Sequence, residues 1–133
     1  MGKKQSKPEF EVIFGNTFNK YYNNYPETTL DCIDDFIEHF ESRGLKDWKG
    51  KIAPSYRVPE NYNNRDEIIE KAKNHNLWHV HIGDPSWEKS KYGNYYVSEW
   101  VLHFKMITPY KIKLLELGWH NPMLLPSDEI CNE

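Results

Sequence analysis

Residues 77–83 read Leu77-Trp78-His79-Val80-His81-Ile82-Gly83, and the alternation in this stretch decides the fold. Side chains in a strand point alternately to opposite faces, so Trp78, Val80 and Ile82 share one face and Leu77, His79 and His81 the other. The spacing predicts a β-strand with a core side and a side that carries chemistry. Histidine titrates near neutrality, and two of them facing one way can supply acid and base groups or metal ligands.

Reading outward from this strand, Gly83, Asp84 and Pro85 end it, and the polar segment 86–94 reads as a hairpin connection. A second strand follows from about Tyr95 to Ile107, with Trp100, Leu102 and Phe104 on one face and Glu99, Val101, His103 and Lys105 on the other. Thr108, Pro109 and Tyr110 form a tight turn into a third strand, Lys111 to Leu117, with Ile112 and Leu114 inward and Lys111 and Lys113 outward. Residues 118–122 close the sheet region with Trp119 and His120.

Upstream, Phe10, Val12 and Phe14 predict a first strand that stops at Gly15 and Asn16. A short helix carrying Phe18, Tyr21 and Tyr22 runs toward Pro26. From Glu27 the apolar residues Leu30, Ile33, Phe36, Ile37 and Phe40 recur at helical spacing until Gly44. Residues 45–62, broken by Gly50, Pro54 and Pro59, read as an ordered loop or lid that Lys46, Lys49, Lys51 and Arg57 make locally basic. Asn64 or Asp66 caps a third helix with Ile68, Ile69 and Ala72 inward.

The expected fold is α+β: an N-terminal strand and helical hairpin packed on one face of an antiparallel sheet completed by a C-terminal three-stranded meander. Trp78, Val80, Ile82, Trp100, Leu102, Phe104, Ile112 and Leu114 should lie against Phe36, Ile37 and Phe40. The 133 residues are expected to form a single domain with flexible ends at 1–8 and 126–133.

Composition bounds the function. Hydrophobic content of 38% and an aromatic share of 15% belong to a folded protein rather than a disordered one. A net charge of −3 gives no general attraction to nucleic acid, so any such binding rests on a local patch. Two cysteines, Cys32 and Cys131, make no disulfide framework and suit a reducing, cytoplasmic setting. No apolar run approaches transmembrane length, so no membrane role is expected from that source. Met1, Gly2 and Ser6 fit an N-terminal acylation pattern with Lys3, Lys4 and Lys7 nearby, and a frayed basic start is the simpler reading. Glu27, Asp31, Asp34, Asp35, Glu38 and Glu41 give the second helix an acidic face, read chiefly as solvated.

On this reading His79, His81, His103, Lys105, Lys111 and Lys113 all emerge on the helix-free, solvent side of the sheet. Cleavage of a phosphodiester needs a base for the ribose 2′-hydroxyl, an acid for the leaving oxygen and cations for the phosphate. Histidines and lysines supply these, and Trp87, Tyr92, Tyr95 and Tyr96 can stack bases. Each histidine taken alone is more ordinarily structural. His79, His81 and His103 also offer three nitrogen ligands to zinc, although no thiolate or HExxH spacing accompanies them.

The run HVHI at 79–82, Ser98 and Glu99 followed by VLHF at 101–104, and KIKLLEL leading to Trp119 and His120 resemble the YafO family of toxins from bacterial toxin–antitoxin pairs. The resemblance covers about residues 77–123. It implies a RelE/ParE-like fold and an mRNA endoribonuclease acting on the translating ribosome, with a cognate antitoxin protein as partner. By position it implies catalytic histidines at His79, His81 and His120, with Ser98 and Glu99 matching the family's polar step. Joined to the residue reading, the expected site is His79, His81, His103 and His120 for catalysis, with Lys105, Lys111, Lys113, Ser98, Glu99, Trp87 and Tyr95 on substrate and with no metal or other cofactor. A second class stays open: an acidic antitoxin or immunity protein that covers a basic nuclease with the helix from Glu27 to Glu41.

Overall fold

The computed structural model describes residues 9–120 and 123–133. The elements run β1 (Glu11–Phe14), α1 (Asn16–Tyr22), α2 (Glu27–Arg43), β2 (Ile52–Pro54), α3 (Arg65–Asn74), β3 (Leu77–His81), β4 (Glu88–Lys89), β5 (Tyr96–Val97), β6 (Trp100–Thr108), β7 (Lys111–Trp119) and α4 (Asp128–Cys131). Five strands make one mixed sheet in the order β1-β7-β6-β3-β2, and β4 pairs with β5 as a small ribbon. The protein is therefore α+β. The meander β3-β6-β7 is antiparallel as its alternation predicts, but β1 lies parallel to β7, so the sheet is not purely antiparallel.

Spacing explains the first layer. Thr29, Ile33, Phe36 and Phe40 recur every three or four residues along α2 and are buried. They meet Val80, Ile82, Leu102, Phe104, Ile112 and Leu114 in one apolar core that also takes Phe18 of α1. Trp78 is only partly buried against this core, and Trp100 lies at its edge, half-buried and stacked on Trp119. Helix α2 ends at Gly44, whose φ of 70° suits glycine and whose missing side chain leaves room for the Phe10 ring, 2.5 Å from where a Cβ would stand.

The opposite face is not helix-free, which corrects the sequence expectation. Ala72 of α3, Leu77, Leu115 and Cys131 of α4 form a second buried cluster, with Leu125 and Ile130 against it. The segment expected to fray at 126–133 instead folds back: the Ser127 side chain caps α4, and Cys131 is buried. The loop at 45–62 contributes an edge strand, β2, paired to β3. The acylation pattern at Met1, Gly2 and Ser6 lies outside the described residues. Among the described residues no helix is long and apolar enough to cross a membrane.

One irregularity governs the site. In β7 the partners of β6 pass from Leu114 (opposite Phe104) to Glu116 (opposite His103), leaving Leu115 as an extra residue. Ile112 and Leu114 face α2, Leu115 turns to the second cluster, and Leu117 packs on the first core. Past the bulge the alternation has shifted by one, so Gly118 and His120 fall on the face of His79, His81 and His103. Regular alternation would send His120 to the α2 side.

Phe36 is fully buried and contacts the rings of Phe40, Trp48 and Phe104. Phe36→Ala is expected to destabilise the fold by about 3–5 kcal/mol in denaturant unfolding, whereas Glu38→Ala on the exposed side of α2 should stay within about 0.5 kcal/mol.

Candidate active site

The four predicted histidines come together. Strand pairing sets His79 opposite His103, and His81 follows two residues along the same face. Ring centroids are 4.6 Å apart for His81 and His120, 5.6 Å for His79 and His120, 6.3 Å for His79 and His103, and 6.5 Å for His79 and His81. The backbone N–H of His120 donates to the Glu99 carbonyl at 2.9 Å, which fixes the end of β7 over the cluster.

These rings are not on a solvent face. His79, His81 and His103 are 4%, 1% and 0% exposed, while His120 is half-buried at the mouth. Ser55, Ser98 and Gly118 are among the groups packed directly around them. His79 Nδ1 lies 2.9 Å from the Ser55 hydroxyl, and His81 Nδ1 lies 2.8–2.9 Å from the carbonyl and the N–H of Ser98. His81 Nε2 and both ring nitrogens of His103 are buried without a hydrogen-bond partner among the described residues. Gly118 makes the space: a Cβ there would stand 3.1 Å from His103 Nε2.

Burial sets the protonation state. Desolvation, reinforced by the neighbouring histidines, pushes His79 down to about 3 from its ordinary 6.5. Burial together with the charge of His120 pushes His81 and His103 down to about 4, with Lys51 adding to the depression of His81. His120 is lowered by burial and by Lys51. All four are therefore neutral at pH 7 and able to accept a proton.

Two of the histidines border a cleft, His120 partly exposed in it and His81 buried beneath. The cleft, of about 550 Å³, is lined by His81, His120, Ser98, Glu99 and Trp119 on the sheet side and by Lys51, Lys89, Lys91, Tyr92 and Tyr95 from β2's approach and the ribbon. Lys51 is held by main-chain bonds on both sides: its N–H donates to the Tyr96 carbonyl and its carbonyl accepts from His81 N–H. Its ammonium sits 5.5 Å from the Tyr95 ring centre. Lys51 is the cleft residue that the sequence pattern does not single out, although it belongs to the basic loop. Its signal was the charge; its position depends on the β2–β3 pairing.

The lysines expected at the site are elsewhere. Lys105 pairs with Leu77, at the far end of β3 from His81, roughly 13 Å along the strand at 3.3 Å per residue. There Lys105 donates to the Cys131 carbonyl and Lys113 to the Glu133 carbonyl, while Lys111 pairs with Glu11 at 3.8 Å. They anchor α4 and β1. Ser98 lines the cleft, but its hydroxyl donates to the Trp100 carbonyl and accepts from Gly83 N–H, so it holds the strand ends rather than facing a ligand. Trp87 packs on Trp48 and Tyr96, with the Lys49 ammonium 5.2 Å from its ring centre, and lies outside the histidine cleft. Of the expected substrate contacts, Glu99 and Tyr95 do line it. Among the described residues no group of three or more His, Cys, Asp or Glu is arranged to hold a metal ion.

Fold and site thus define an α+β protein with a buried histidine cluster flooring a cleft rimmed by lysine and aromatic side chains. Comparisons with protein-family models, with curated proteins and with solved structures return no match.

The depressed histidines make stability pH-dependent. Their folded values lie below 6.5, so the unfolded chain binds protons first as pH falls, and stability present above pH 6.5 is lost toward pH 4. The expected slope reaches about 1.4 kcal/mol per pH unit for each such histidine. His103→Leu should flatten the fall in thermal midpoint between pH 6.5 and 4, and a slope unchanged from wild type would show that His103 is not charged on unfolding there.

Proposed function

We propose that this protein is an endoribonuclease toxin of a bacterial toxin–antitoxin pair, with a RelE/ParE-like fold of the YafO kind, cutting mRNA by histidine chemistry without a metal. The observation that carries the reading is the His81–His120 pair, 4.6 Å apart on the floor of a cleft that Lys51, Lys89 and Lys91 make cationic. The order of strand, helical hairpin and antiparallel meander supports the fold assignment, and the sequence resemblance supports the family.

In this reading neutral His120, at the mouth, takes the proton of the ribose 2′-hydroxyl. The O2′–P bond forms as the P–O5′ bond breaks, and the ammonium of Lys51 steadies the phosphorane charge and protonates the departing 5′-oxygen. The imidazolium of His120 then returns its proton to the Lys51 amine, leaving a 2′,3′-cyclic phosphate and a 5′-hydroxyl. His81, fixed through Ser98, packs against the ring of His120, and His79 is fixed in turn by Ser55. The chain's charge of −3 favours delivery of message by the ribosome over capture of free RNA. A cognate antitoxin would act by covering the cleft.

An acidic antitoxin or immunity protein is the second reading, and the exposure of Glu27, Asp31, Asp34, Asp35, Glu38 and Glu41 along α2 favours it. Expression alone separates the two. Growth arrest with new RNA ends in translated messages supports the toxin, and unimpaired growth with intact RNA removes it.

His81 is buried, so its replacement perturbs the fold as well as the chemistry, and His120 gives the cleaner variant. His120→Ala is expected to lower cleavage by roughly 10²–10⁴ while the thermal midpoint stays near wild type. Because the folded site holds His120 below its ordinary value, wild-type cleavage should persist as pH drops below 6.5. A limb at or above 6.5 would assign the base role to another group.

A further inference from the structure

We infer that Trp119 is a base-stacking platform that selects an unpaired purine beside the bond to be cut. The inference rests on the nuclease reading for its reaction, but its binding claim stands separately.

Trp119 lies at the end of β7, directly before His120, and both line the cleft. The indole is 50% exposed, more than any other tryptophan of the chain, all of which are described and more fully covered. Its buried side stacks on Trp100, with ring centres 4.2 Å apart and planes within 29°. Trp100 thus supports the ring from beneath, and the free side stays flat and fixed. A rigid aromatic surface of this kind takes a planar ring at little ordering cost, since the side chain is already immobilised.

The cleft supplies the rest of a nucleotide site. Lys51, Lys89 and Lys91 outnumber Glu88 and Glu99 among the residues that line it, three to two, which suits the phosphates flanking a stacked base. Tyr92, 90% exposed on the ribbon connection, offers a second ring from the opposite wall. A paired base has both faces occupied in its own stack, so a single exposed platform reads an unpaired one. Stacking grows with ring area, and a two-ring base covers an indole better than a one-ring base. Because Trp119 and His120 line the same cleft, the nucleotide on the platform carries the 2′-hydroxyl presented to His120.

The test uses the full chain and a short fluorescein-labelled RNA with a single 2′-deoxy residue at the purine, which binds but cannot be cut there. Anisotropy should give weaker binding by roughly 5- to 150-fold for Trp119→Ala, a smaller loss for Trp119→Phe, and weaker binding of the same strand with pyrimidine at that position or annealed to its complement. Circular dichroism checks that both variants fold, and Trp119→Phe keeps the question answerable if Trp119→Ala does not. Equal binding by wild type, Trp119→Ala and Trp119→Phe overturns the platform. Absence of binding to the wild type overturns the platform; the nuclease reading is overturned separately, by intact RNA in translated messages when the protein is expressed alone. Binding that depends on Trp119, with translated messages left intact on expression of the protein alone, keeps the platform and overturns the nuclease.

Discussion

A single unpaired residue in β7 organises the site. Sheet side chains alternate with a period of two, and an extra residue moves everything after it to the other face. Leu115 is that residue, and it fills the gap between the sheet, Ala72 of α3 and Cys131 of α4. The same shift carries Gly118 over His103 and His120 over His81. Apolar packing at one end of the strand and histidine clustering at the other are therefore consequences of one local event.

Burial of the histidines then fixes their chemistry. A charged imidazole in an enclosed cluster meets both desolvation and its neighbours' charges, so the rings remain neutral well below their ordinary range. Neutral rings can accept protons but do not donate them readily. Any acid step at the cleft consequently falls to a cation, and Lys51 is the one whose charge acts on His79, His81 and His120. Ser55 and Ser98 hold His79 and His81 through Nδ1, which confines the rings to one orientation.

The cations divide between anchoring and the cleft. Lys105 and Lys113 tie α4 to the sheet through main-chain carbonyls, closing the apolar end of the second layer. Lys51, Lys89 and Lys91 stand at the open end, on elements that the β4-β5 ribbon brings alongside β2 through the Gly50–Tyr96 bridge. Gly50 and Gly83 lack the side chains that would collide with Trp87, and that packing holds the ribbon in place as the outer wall.

The sequence by itself determined helices α1 and α2, the antiparallel meander and the α2-facing core, because period 3.6 in α2 and period two in β3 and β6 are local properties of the chain. It also placed His79, His81 and His103 on a common face, since β3 and β6 carry no irregularity between them. It did not determine what covers that face. Leu77 and Cys131 alone do not announce a second core, which exists only when α3, β7 and α4 meet. Lys105 and Lys113 were assigned to the site from their face alone, whereas their distance along the strand decides, and that depends on register. Lys51 and the bulge at Leu115 were decided by tertiary structure for the same reason: strand pairing joins residues distant in sequence, and no local period records which of them is left without a partner.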